Sequence, residues 1–147
     1  FLKYFLQTIK TQPSTIALII QKEVAKRIIA RDNKESILSI SVKAYGTPHY
    51  VEKVPRKLFS PEPNVDSAII SIKNISKIFF EDMLEEKFFT ILKAGFAHKR
   101  KMLKKNLGII FPKEETAKKY LSCEIPENAR AENLSLEKWK CIVLQRP

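Results

Sequence analysis

Apolar side chains along this sequence are spaced in two different ways, and the spacing changes near residue 75. Phe1, Leu2, Phe5, Leu6 and Ile9 recur at helical intervals. Gln12-Pro13 then ends that helix, because proline pushes its predecessor out of the helical region. Ser14 to Ile20 is largely apolar and rich in β-branched residues, which predicts a strand buried on both faces in a parallel sheet. Gln21 to Ala30 reads as a helix with Val24, Ala25, Ile28 and Ile29 inward, Lys22 and Lys26 outward, and Glu23 placed to pair with Arg27. From Ile37 to Ala44, Leu38, Ile40, Val42 and Ala44 alternate with Ser39, Ser41 and Lys43, a strand pattern. A turn at Gly46-Thr47-Pro48 leads to an extended run from His49 to Val54, so an antiparallel edge is expected. A proline-rich loop from Pro55 to Pro63 and a strand from Val65 to Ile72 complete this part.

Beyond Phe80 the spacing is helical, over about 81–97, 99–107, 113–121 and 135–144. Pro112 with Glu114 and Glu115, and Ser135 with Glu137, mark two helix starts. The chain is therefore expected to be α/β, with a sheet-bearing part over 1–76 and a small all-helical part over 77–147.

Composition narrows the chemistry. Hydrophobic residues at 44% and charged residues at 29% are those of an ordinary soluble globular protein. The longest aliphatic run, Ile16 to Ile20, is far short of the ~20 residues that span a bilayer. The three glycines, Gly46, Gly95 and Gly108, are too far apart for a dinucleotide or triphosphate loop. His49 and His98 have no partner at metal spacing, so no metal site is expected. Cys123 and Cys141 form no CxxC and are expected to be free thiols in a reducing cytoplasm. Phe1 is neither an initiator Met nor the start of a signal sequence, and an upstream part is expected.

Charge is the strongest compositional signal. The net charge of +11 is concentrated in residues 93–119, where nine basic and two acidic residues give +7. A basic block of this kind is the electrostatic footprint of a nucleic-acid binder. Its centre is Lys99, Arg100, Lys101, Lys104 and Lys105. On a continuous helix Phe88, Leu92, Phe96, Leu103 and Leu107 form one stripe, and Lys99 falls inside it. Either its stem reaches outward or the helix breaks near Ala97-His98, next to Gly95. Lys22, Lys26 and Arg27 form a second cationic face, read either as a solvated helix surface or as a second RNA contact.

The most specific string is Phe59-Ser-Pro61-Glu-Pro63-Asn-Val65-Asp66-Ser67-Ala68. Two prolines stiffen the loop, and a stiff loop can hold Phe59 at a fixed place, with Asp66 as cap or brace. This string, Gln21-Lys-Glu-Val-Ala-Lys-Arg27, Phe96 through Arg100-Lys101-x-Leu103-x-x-Asn106-Leu107, and Arg130-Ala-Glu132-x-Leu134-Ser135 occur in this order. Together they resemble the KsgA/RsmA family of ribosomal RNA adenine dimethyltransferases over nearly the whole chain. Asn64, Lys99 and Met102 depart from the residues usual in that family.

The resemblance implies a Rossmann-like methyltransferase sheet followed by a helical domain. It also implies transfer of two methyl groups from S-adenosylmethionine to each of two adjacent adenines of 16S rRNA in the small ribosomal subunit. Phe59 matches the family's aromatic that stacks on the target adenine, while the basic positions are expected to contact RNA on the strength of their charge. The family's cofactor loop and its Asn-(Ile/Leu)-Pro-(Tyr/Phe) motif are absent here. The chain is thus expected to hold no S-adenosylmethionine site, to be inactive alone, and to act as a cytoplasmic monomer. Arg130 and Glu132 are expected to pair and pin the last helices, with Trp139 in the core. The alternatives are an Erm-type methyltransferase of 23S rRNA, and a non-catalytic RNA-binding or ribosome-assembly module.

Overall fold

The structure is a computed structural model that describes residues 2–145; Phe1, named in the opening helical pattern, lies outside them. A short π-helical turn over Tyr4–Thr8 precedes strand β1 (Thr15–Gln21), helix α1 (Lys22–Ile29), helix α2 (Ile37–Lys43), strand β2 (Thr47–Val54) and strand β3 (Ser67–Lys73). Both β1 and β2 pair antiparallel with β3, giving the order β1-β3-β2. Ile16, Leu18 and Ile20 of β1 share a face with Ala68, Ile70 and Ile72 of β3, and α1 and α2 cover it with Ala25, Ile28, Ile40 and Val42.

Two expectations for this part fail. β1 is an edge strand in an antiparallel sheet, half exposed rather than buried on both faces, with Thr15, Ala17, Ile19 and Gln21 outward. A run rich in β-branched residues signals a strand but not how many of its faces are covered. Residues 37–43 are a helix, not a strand. Ser36 accepts from the Ser39 N–H at 3.1 Å while Ser39 Oγ accepts from the Ser36 N–H at 2.7 Å, a reciprocal cap that satisfies two donors at the helix start. Its burial also runs 39, 40, 42, 44, which is not period two. The register shift between Tyr50 and Glu52 leaves Val51 outward.

The helical part comprises α3 (Glu85–Gly95), α4 (Leu103–Leu107), α5 (Lys113–Ser122) and α6 (Leu136–Leu144). Trp139, fully buried, stacks on Phe96 with ring centroids 5.6 Å apart. Gly95 matters here for space: an added Cβ would lie 2.4 Å from Trp139 Cη2. Its φ is not positive, so this glycine supplies close approach rather than a hinge. Tyr45, Phe80, Phe88 and Phe89 join the two parts into one hydrophobic cluster running from Leu6 to Val143. The Tyr45 hydroxyl donates to Glu85, and burial, then that carboxylate, push its ionisation up.

Cys123, at the end of α5, and Cys141 of α6 form a disulfide, contrary to the expected free thiols. An 18-residue separation carries no CxxC signal, and only the packing of α5 against α6 brings the sulfurs together. The fully buried Lys119 ammonium donates to the Ile142 and Gln145 carbonyls at the end of α6, at 3.1 and 2.6 Å, and pairs with Glu115 at 3.2 Å. Its position satisfies carbonyls that the helix end leaves without partners.

Candidate nucleic-acid interface

The loop from Pro55 to Asp66 joins the carboxyl end of β2 to β3, beside the point where β1 passes directly into α1. Asp66 fixes the loop there. Its carboxylate accepts from Lys53 Nζ at 2.9 Å and from the Arg56 N–H at 3.0 Å, and faces Lys22 Nζ at 3.8 Å. Its carbonyl accepts from the first N–H of α1, that of Lys22, at 3.0 Å. The Lys53 ammonium and the Arg56 N–H hold this carboxyl below the usual carboxylate range. Phe59, half buried, follows the single 3-10 turn Arg56–Leu58, and the Ser60-Pro61 bond after it is cis. Asp66 is the expected brace.

The cationic cluster forms an exposed turn rather than a helix face. α3 stops at Gly95 and α4 starts at Leu103, so the predicted helix over 99–107 is shorter, and the break places Lys99 in solvent. Asn106, almost fully buried, donates to the Gly95 carbonyl at 2.6 Å and the His98 carbonyl at 3.2 Å. The Leu103 N–H donates to the Ala129 carbonyl at 2.8 Å. The turn carrying Lys99, Arg100 and Lys101 is thereby held at both ends. Asn106 is the positioning residue that charge and periodicity could not reveal; it stood out in the sequence only as part of the string from Phe96 to Leu107.

Ion pairing separates the predicted cations into two groups. Lys22 faces Asp66, Lys26 pairs with Glu23 at 3.2 Å, and Lys104 pairs with Glu127. Arg27, Lys99, Arg100, Lys101 and Lys105 take no carboxylate among the described residues. The expected Glu23–Arg27 pair does not form, because Lys26 reaches the same carboxylate one residue earlier. Nor do Arg130 and Glu132 pair: Arg130 is exposed and Glu132 faces Lys34 at 4.0 Å. Arg27 and Lys99, far apart in sequence, line one cleft of about 500 Å³ together with Ile37, Leu38, Phe96 and Glu132. Lys104 and Lys105 line a different cleft, between α4 and α5.

The glycines offer no seat for a nucleotide-bearing cofactor. An added Cβ at Gly46 would meet the Lys73 carbonyl at 2.8 Å, Gly95 is filled by Trp139, and Gly108 closes α4. At Gly46 and Gly95 the space beside the backbone is filled by the chain's own atoms, so neither glycine lets a ligand approach closely. No described helix is long and apolar enough to cross a membrane, and no described cluster of His, Cys, Asp and Glu could hold a metal.

A family profile described as ribosomal RNA adenine dimethylase matches residues 2–145. Among curated proteins, the ribosomal RNA small subunit methyltransferase A of Fusobacterium nucleatum is 42% identical over 125 residues, covering 83% of this chain and 47% of that protein. The protein of the same name from Streptococcus sanguinis is 40% identical over 136 residues, covering 88% and 47%. A dimethyladenosine transferase from Plasmodium falciparum superposes with a TM-score of 0.79 at 23% identity, over 96% of this chain and 60% of that one. The 23S rRNA methyltransferase ErmE superposes at 0.73 and 21% identity, over 97% and 57%. The chain spans about half the length of the curated relatives it matches.

Proposed function

The chain belongs to the ribosomal RNA adenine dimethylase family, and from that premise we propose that it is the RNA-holding half of an enzyme that dimethylates two adjacent adenines of 16S rRNA. The methyl donor of the whole enzyme is S-adenosylmethionine, which supplies an electrophilic methyl group and is bound by residues outside these 147. The curated relatives above carry a small-subunit name, which favours this substrate over 23S rRNA. We place the site of action in the cytoplasm, on the small ribosomal subunit, with the protein as a monomer.

In this reading Phe59 receives the extruded adenine on its ring, on a loop that Asp66 holds at the carboxyl edge of the sheet. Arg27, Lys99, Arg100 and Lys101 take RNA phosphates first, since no carboxylate competes for them. Lys105 adds to them, and Lys22, Lys26 and Lys104 contribute only by giving up Asp66, Glu23 and Glu127. Residues 1–76 thus bring the base-receiving Phe59 together with the phosphate contacts of Lys22, Lys26 and Arg27, and 77–147 bring the basic turn.

The observation that carries the reading is a family match that takes in both the braced Phe59 loop and the unpaired basic turn. Stacking on an unpaired base is worth about 1–3 kcal/mol. Phe59→Ala is therefore expected to weaken binding of a hairpin with unpaired adenines about 5- to 150-fold by fluorescence anisotropy, leaving a blunt duplex unaffected. The 147 residues with labelled S-adenosylmethionine and undermethylated small subunits are expected to incorporate no label; incorporation would overturn the assignment of the cofactor site.

A further inference from the structure

The second cleft shares Lys104 and Lys105 with the basic surface described above, but the rest of its wall has no role so far. It opens between α4 and α5, has a volume of about 430 Å³, and is walled by Phe111, Ala117 and Tyr120, with Lys104, Lys105 and Lys113 around it. That volume is within the range of small-ligand clefts. Lys105 and Lys113 have no carboxylate partner among the described residues, while Lys104 is held by Glu127. Phe111 is half buried, and the Lys119 ammonium sits 4.6 Å from its ring centroid, so a buried cation backs this aromatic. Tyr120 is 4% exposed and forms the buried back of the wall, its hydroxyl without a hydrogen-bond partner.

We infer that this cleft takes one unpaired nucleotide of the RNA, its base against Phe111 and its phosphate between Lys105 and Lys113. The inference rests on the RNA-binding reading and extends it to a second, non-reacting nucleotide. An aromatic wall with cations at the rim suits a base already out of its stack. A duplex presents only its backbone, so it would engage the lysines and leave the ring unused.

The test compares a labelled single-stranded RNA with a fully paired duplex of equal length, titrated with the full chain by fluorescence anisotropy. Phe111→Leu keeps an apolar wall and removes the ring face. Ala117→Phe fills the cleft from an exposed position, so it does not disturb the core. Each is expected to weaken single-strand binding about tenfold and to leave the duplex unchanged. Lys105→Ala with Lys113→Ala is expected to flatten the single-strand salt slope by about 0.7 per lysine. If both cleft variants bind the single strand as the unsubstituted chain does, or lose strand and duplex alike, the cleft assignment is overturned and the RNA-binding reading stands. If the unsubstituted chain binds neither RNA at low salt, the RNA-binding reading itself falls, and this inference with it.

Discussion

The sheet and the helical part of this molecule treat both apolar surface and charge differently. The helices close on themselves around Trp139, Phe88, Leu103, Leu107 and Ile142, all fully buried. The sheet is covered on one face only, and Ile19, on its open face, is 59% exposed. The charges run the opposite way to that closure. Around the sheet, Lys22, Lys53 and Arg56 are engaged with Asp66 and Glu62 and Arg27 alone of the predicted contacts is free, while the turn between α3 and α4 carries three cations with no carboxylate partner among the described residues. A rigid, self-sufficient support thus presents the free charge, and the paired charges shape the loop around Phe59.

The sharpest way to break this contrast is to remove one apolar side chain from each part. Trp139→Ala is expected to cost about 3–5 kcal/mol in urea unfolding. Ile19→Ser is expected to change stability by less than about 0.5 kcal/mol. Comparable costs would mean that the two parts are equally closed. Next in size is the disulfide: reducing Cys123–Cys141 is expected to lower stability by roughly 3 kcal/mol, seen as a lower Tm with reductant that the Cys123→Ala, Cys141→Ala variant does not show.

The charge contrast gives a smaller effect. Arg100→Ala and Lys101→Ala are expected to flatten the log-affinity versus log-salt slope for RNA by about 0.7–0.9 each. Lys26→Ala, whose ammonium already has Glu23, is expected to flatten it by clearly less. Equal slopes would erase the distinction between free and paired cations.

The smallest effects are pH-dependent and opposite in sign. The Asp66 carboxyl is lowered by Lys53 and the Arg56 N–H, so its contribution is present above the ordinary carboxylate pKa and is lost as pH falls through the folded value. Asp66→Asn is expected to make the acid limb of the stability profile shallower below about pH 4. Burial pushes the Tyr120 hydroxyl up to about 12, so stability falls as pH rises from about 10 toward that value. Tyr120→Phe is expected to flatten that alkaline segment.

Much of this architecture could be read from local pattern. β1, α1, β3, α5 and α6 lie close to where period and cap signals put them, and α3 and α4 form within their expected spans but shorter, because each buries a stripe or face that its own residues define. What escaped was set by neighbours. The α2 segment alternates like a strand but is too short for period to decide, and the Ser36–Ser39 cap tips it. Gly95 looks like a hinge until Trp139 is seen against it, and the cysteines look separate until α5 meets α6. At the interface, the cations and Phe59 were visible as residue types. Which of them are free, and that Asn106 and Asp66 hold their supports, depends on contacts between residues remote in sequence or on different elements.

The uncovered side of β1 also bears on how the chain behaves in solution. Its outer N–H and C=O groups meet no strand among the described residues, and Ile19 and Ala17 lie on the bare face next to them. Such a border is a template for self-addition, strand upon strand, in concentrated preparations. A lysine at position 19 would blunt that tendency without touching the core, and is the first change to make before handling the chain at high concentration.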